Sequence, residues 1–325
     1  MPTISFAKSL VFCTLMLQTL LSHAQWVEHE TAIMGSNIHI EFWAEANGQA
    51  LLASSIAIMD AVDQQMNPLN HRSELAKVNR NAYSQAQIIS PELFNLIRKA
   101  NTISQLSSGA FDISFASLGF HYNYPQHQRP SDDVLEKNLA AINYKNIHLD
   151  DKKLSIRFTH AQLKIDLGGI AKGYAVDKVC EFLLEQGVKH AIITAGGDTR
   201  ILGDKRGKPW IVAIKNPRQT EQQILRIPLS DVALSTSGDY ERFFIEDKQR
   251  YHHILNPKTG RSPHNGIQSV SIIANDSTTA DALSTTVFVL GIKKGLALIN
   301  HMQDVDVIII SEGGTFHYSQ GLQQL

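Results

Sequence analysis

Asp281, Ser284 and Thr285 fall at i, i+3 and i+4, so a helix through them presents one carboxylate and two hydroxyls on one face. Such hard oxygen ligands suit Mg2+ better than a soft metal. An acid near a helix start also serves as a cap or a first-turn charge, and both roles stand at this point. Upstream, the run Ile165-Asp166-Leu167-Gly168-Gly169-Ile170-Ala171-Lys172-Gly173-Tyr174 reads as a strand ending in a carboxylate, two glycines, then a helix with Lys172 in its first turn. Glycines admit close backbone approach, and a helix N-terminus offers unpaired N–H groups to a phosphate. The spacing is neither a Walker A loop nor a dinucleotide fingerprint, which leaves the two commonest nucleotide folds unsupported.

Tyr251-His252-His253-Ile254-Leu255-Asn256-Pro257-Lys258-Thr259-Gly260 leads a strand into a Pro/Gly turn. A neutral imidazole here can take a proton from a hydroxyl, or simply be a core histidine. His252, His253 and His264 lack the cysteine partners and spacing of a zinc site. Gly196-Gly197-Asp198, Gly109-Ala110-Phe111-Asp112 and Met34-Gly35-Ser36 are small, backbone-exposing clusters that fit either turns or the border of a ligand.

The elements that must position these groups follow from periodicity. Ile38, Ile40 and Phe42 alternate in a strand over 37–42. Leu52, Ile56, Met59, Val62 and Met66 place a helix over 48–66, ended by Asn67-Pro68. A second helix starts at the Ser90-Pro91 cap and stops near Ser108-Gly109. Residues 119–130 form a surface loop, and 131–141 a short helix. Strands are predicted over 163–166, 191–195, 210–214, 269–274 and 305–311. Helices are predicted over 170–186, closed by Gly187, and over 278–290 and 293–302. Adjacent strands without an intervening helix argue for an α+β fold.

A chain of 325 residues with 43% hydrophobic and 19% charged content suffices for one sizeable globular core. With a net charge of -1, no global field recruits nucleic acid or an anionic membrane, so an anionic ligand must be held by local groups. At the N-terminus, Lys8, the apolar run Leu10 to Leu21 and Ser22-His23-Ala24 read as a cleavable secretory leader, residues 1–24, too short to span a membrane. The expected mature chain, 25–325, is periplasmic. It is not a lipoprotein, because Cys13 sits inside the apolar run. Cys180 reads as a buried small hydrophobe between Val176 and Leu183.

In this order, Met34–Ser36, Ser73-Glu74-Leu75, Gly109–Asp112, residues 166–177, Ala195–Asp198, residues 235–242, His253–Gly260, Ala280–Thr285 and Val289–Gly291 resemble the ApbE family of FAD:protein FMN transferases. The resemblance implies mixed or antiparallel sheets packed with helices in an alpha-beta roll. It implies FAD in a cleft with its pyrophosphate beside Mg2+. The metal ligands it implies are Asp281, Thr285 and the Gly169 carbonyl, with Ser284 where some members carry a second carboxylate. The FAD contacts it implies are Met34, Ala110, Phe111, Asp112, Asp166, Lys172 and Leu255. In the implied mechanism a Thr or Ser hydroxyl of a redox-complex subunit attacks the FMN-side phosphorus and AMP leaves. His253 is then the candidate base and Asp166 the orienting or secondary one. Asn256 stands where the family usually has Asp. Two rival readings are an FAD pyrophosphatase and a non-catalytic flavin-binding protein.

Overall fold

The computed structural model describes residues 24–324, so the predicted leader lies outside the described residues except for Ala24. Its centre is an eight-stranded antiparallel sheet. In spatial order the strands are Gln25–Ile33, Ser36–Ala44, Ala191–Ala195, Asp198–Leu202, Ala233–Gly238, Ile267–Ala274, Asp306–Ser311 and Thr315–Tyr318. The predicted alternation holds: Ile38, Ile40 and Phe42 are fully buried, and their neighbours are at least partly wet. Two two-residue turns set the register at one end of this sheet. Met34-Gly35 joins the first pair with both residues at positive φ, the hairpin geometry that matches strand twist. Gly196-Gly197 joins the pair 191–195 and 198–202. A Cβ on Gly197 would lie 2.5 Å from the Thr236 carbonyl oxygen, so that turn admits no side chain.

Helices cover the sheet. Ala171–Glu185 packs on Gly48–Met66 and on Ser277–Leu290, and the last lies across strands 233–238 and 267–274. Ser277–Leu290 is buried nearly all round, with Ala280, Ala282, Leu283, Val287 and Phe288 in the core, which explains why its sequence shows no clean polar face. The predicted Ser90 cap is present, its Oγ accepting from the Leu93 N–H at 3.3 Å. The other predicted helices appear as Pro91–Leu106, Asp132–Leu139 and Ile292–Ile299, and the 119–130 stretch is a turn-rich loop. Cys180 is buried, and burial pushes its thiol well up, as befits an inert core residue.

The predicted strand over 163–166 is absent. Its backbone is held by a side chain instead: Asn79 Nδ2 donates to the Ile165 carbonyl and Asn79 Oδ1 accepts from the Ile165 N–H, both at 2.8 Å. The Asp166 N–H donates to the Ile113 carbonyl at 3.0 Å. The apolar alternation is real, since Leu163, Ile165 and Leu167 are buried, but an asparagine takes the place of a neighbouring strand. Two hairpins stand outside the central sheet, one of strands Trp210–Asn216 and Gln219–Leu229, the other of Phe243–Glu246 and Gln249–His252. Among the described residues no helix is long and apolar enough to cross a membrane.

Candidate functional site

The site grows from the contact between the 171–185 and 277–290 helices. A Cβ at Gly173 would meet the Ser277 carbonyl oxygen at 2.3 Å and the Thr278 nitrogen at 2.9 Å, so only glycine lets the helices touch here. One turn on, Asp177 reaches across and accepts from the Ser277 and Thr278 N–H groups, each at 2.8 Å. Asp276 caps the same helix from its own chain end, accepting from the Thr279 N–H at 2.7 Å. Two acids thus satisfy the helix start, and Asp281, a turn further in, is released from any capping duty.

Asp281 turns its carboxylate to the 171–185 helix. Its Oδ2 accepts from the Gly173 N–H at 3.2 Å and lies 3.5 Å from Lys172 Nζ. The same ammonium is 2.6 Å from Asp198 Oδ2, and Asp198 Oδ1 accepts from Ser235 Oγ at 2.5 Å. Both carboxylates are almost completely buried. Burial and the Asp198 charge push the Asp281 carboxyl up to about 7, against the pull of Lys172 and the Gly173 N–H. Burial alone would lower the Lys172 ammonium, but the two carboxylates outweigh it and hold its proton more tightly than usual. With both carboxylates ionised against one ammonium, one negative charge is left uncompensated. Hydroxyls surround it: Ser237 Oγ lies 2.7 Å from Ser284 Oγ and 3.3 Å from Thr285 Oγ1. Gly169 closes this side, its Cβ position 3.4 Å from Thr285 Oγ1 and 3.3 Å from the Phe111 ring. An all-oxygen donor set with net negative charge fits a hard divalent cation.

A second wall, within reach of the Lys172 charge, carries His253 and Arg242, joined by a 3.0 Å bond from the His253 N–H to the Arg242 carbonyl. His253 Nδ1 is buried with no hydrogen-bond partner. Burial, His252 and the Arg242 and Lys172 cations lower the His253 imidazole to about 3, so it is neutral across the physiological range. The Arg242 guanidinium is 3.3 Å from the Cβ position of Gly35, in the first hairpin turn, and also acts on Asp166. Asp166 accepts from the Gly168 N–H at 2.8 Å, and burial raises its carboxyl despite that bond and Arg242.

Residues 34–309 match the ApbE family. The chain belongs to that family. An FAD:protein FMN transferase of Treponema pallidum is 33% identical over 267 residues, 77% of this chain and 74% of the relative. One of Klebsiella pneumoniae is 28% identical over 291 residues, covering 87% and 89%. The crystal structure of the ApbE protein of Thermotoga maritima superposes with a TM-score of 0.85 at 35% identity, covering 92% of this chain and 99% of that one. The flavin transferase ApbE of Vibrio cholerae gives 0.83 at 26%, covering 93% and 99%.

Within this ApbE fold, the sequence-predicted residues fall into distinct settings. Asp281, Ser284, Thr285, Gly169 and Lys172 converge at the helix contact. The Ser284 hydroxyl is engaged, donating to the Asp281 carbonyl at 2.8 Å as well as meeting Ser237. Ala110, Phe111 and Asp112 are buried, and Phe111 borders Gly169. Asp112 fixes its own loop: its Oδ1 accepts from the Ser114 N–H at 2.9 Å and its Oδ2 from the Tyr144 N–H at 2.8 Å. Burial raises its carboxyl against these bonds. Met34 occupies the first hairpin turn. Leu255 packs with Leu118, Tyr122 and Leu135 in a satellite cluster below the 253–260 turn. His252 is the core histidine, edge-on to Phe288 at 5.3 Å, and burial lowers it to about 4.

Asp198, Ser237 and Arg242 are the site residues that reasoning on single motifs passes over. Asp198 stands after a glycine pair and reads as a turn residue. Its signal is an acid set directly after a glycine pair, at the first position of the strand Asp198–Leu202.

Proposed function

We propose that this chain transfers FMN from FAD to a Thr or Ser hydroxyl of a redox-complex subunit facing the periplasm, releasing AMP. The observation that carries the reading is a neutral, hydrogen-bond-free His253 nitrogen within reach of the Lys172 charge at a buried oxygen site. The ApbE relatives named as FAD:protein FMN transferases support the same assignment. FAD is the substrate, bordered by Met34, Ala110 to Asp112, Asp166, Lys172 and Leu255.

Mg2+ held by Asp281, Thr285 and the Gly169 carbonyl, with Ser284 beside them, would spread the charge of the pyrophosphate. Lys172, fixed between Asp198 and Asp281, holds a cationic charge at the same point. His253 accepts the proton of the acceptor hydroxyl. The hydroxyl oxygen forms a bond to the FMN phosphorus as the bond from that phosphorus to the AMP phosphate oxygen breaks. Asp166 orients the reacting groups through its half-buried carboxylate.

Intact-mass measurement of a candidate redox subunit, after incubation with the mature chain, FAD and Mg2+, tests the reading. The expected result is a mass gain of FMN less water that is lost with Asp281→Ala. Free AMP and FMN with no mass gain would establish FAD hydrolysis in its place. Bound FAD with neither product would leave a flavin-binding protein. The periplasmic assignment rests on the leader sequence, and protein recovered in the cytoplasmic fraction with a mass that begins at Met1 would overturn it.

A further inference from the structure

The hairpin of strands Phe243–Glu246 and Gln249–His252 has two very different edges. In an antiparallel pair, residues alternate between pointing their N–H and C=O into the ladder and pointing them out. The bond from the His253 N–H to the Arg242 carbonyl fixes the phase, so Phe243 and Ile245 on the first strand, and His252 and Arg250 across from them, point their backbone groups outward. On the second strand the outward groups of His252 are covered. The His252 N–H donates to Ser262 Oγ at 3.1 Å, and its carbonyl accepts from Ser262 Oγ at 2.6 Å and from the Tyr124 hydroxyl at 3.3 Å. On the first strand, no described residue partners the outward N–H and C=O of Phe243 or Ile245.

The Ile245 side chain is largely uncovered, and that of Phe243 partly so. Phe243 is 36% and Ile245 60% exposed, whereas Phe244, on the other face, is buried against Tyr251 and Tyr124. An unguarded apolar edge is a template for another strand, and proteins usually blunt such edges. This one is short, held in register by the Asp247-Lys248 turn with both residues at positive φ, and continuous with Arg242 and His253 at its base. Its charge is cationic there. Arg218 takes both Asp239 oxygens, at 2.7 and 2.8 Å, and the Arg250 guanidinium, 3.7 Å from that carboxylate, lies 3.8 Å over the Phe243 ring, while Arg242 and Glu241 at the strand's start are both exposed.

We infer that the open edge of the Phe243–Glu246 strand receives an extended segment of the acceptor protein as an added strand. That segment places its Ser or Thr hydroxyl at the His253 end, with an acidic side chain toward Arg250. The inference rests on the transferase reading. Backbone pairing supplies affinity without demanding sequence, and the Phe243 and Ile245 side chains supply an apolar footing. An edge of four residues suits a substrate that must leave again.

Ile245→Pro removes the outward N–H and leaves the ladder bonds of the hairpin intact, because residue 245 donates away from its partner strand. With the redox subunit that gains FMN mass as acceptor, its KM for the mature enzyme is expected to rise about fivefold or more. FAD affinity, read by quenching of flavin fluorescence, and kcat are expected to stay unchanged, and Ile245→Val to behave as wild type. Hydrogen exchange on the wild-type enzyme gives a second reading: the Phe243 and Ile245 amides slow when the acceptor is added. An unchanged KM in Ile245→Pro, or no protection at these amides while FMN is still transferred, overturns the docking edge alone. If the wild type labels no acceptor, the transferase reading and the edge fall together.

Discussion

The two walls of the site are built on opposite plans. Where the 171–185 and 277–290 helices meet, the charged groups are tied to one another and to backbone: Lys172 to Asp198 and Asp281, Asp177 to two helix N–H groups, Asp276 to Lys99 at 2.7 Å. The segment from Arg242 to His253 is the reverse, with an exposed guanidinium, an imidazole nitrogen without a partner, and a strand edge without a neighbour. Fixed charge buried against fixed charge is costly to rearrange, so the first wall is suited to presenting a constant field. Groups left unpaired in the free protein gain most from a ligand, so the second wall is where substrate and acceptor are read. The difference separates holding from recognising.

The largest effect expected from this contrast is at Gly173. Gly173→Ala places a methyl against backbone of the facing helix and should cost about 3 kcal/mol, seen as a lower urea midpoint with unchanged slope. A midpoint equal to that of the wild type would mean that the helix contact is soft, and the contrast would dissolve.

A smaller effect concerns pH. His252 and His253 titrate near 6.5 when unfolded, but burial lowers them to about 4 and about 3 in the fold. Between those limits the unfolded chain binds more protons, so these residues make stability fall as pH drops from 6.5 toward 4. The melting temperature should decline over that window, and less steeply in His253→Gln. An identical slope in the variant would place His253 in water rather than in the wall.

The smallest effect is at the free edge. Phe243→Ser should alter stability by no more than about 0.5 kcal/mol, because the side chain is not part of the core. A loss several times larger in a thermal melt would show that the hairpin is a structural strut and erase the distinction between the walls.

Much of this was legible in the chain. Ile38, Ile40 and Phe42, the Ser90-Pro91 start and the Gly187 stop all give elements that the fold contains, within a few residues at their ends. The chemistry-bearing motifs were legible as well, since Asp281, Thr285, Gly169 and Lys172 do come together. The extended stretch at 163–166 misled for an identifiable reason: alternation reports two faces, one apolar, and is silent on whether a strand or an asparagine supplies the hydrogen bonds.

By itself, then, the sequence determined what depends on neighbours along the chain: periodic burial, caps, tight turns and the residue types available for chemistry. Only the tertiary structure decided which acid does what. Asp276 and Asp177 cap the helix and thereby free Asp281, while Lys172 finds Asp198 26 positions away and Asp281 109 positions away. Hydrogen bonds and buried ion pairs form only within about 3 to 4 Å, and packing brings such distant groups to that separation.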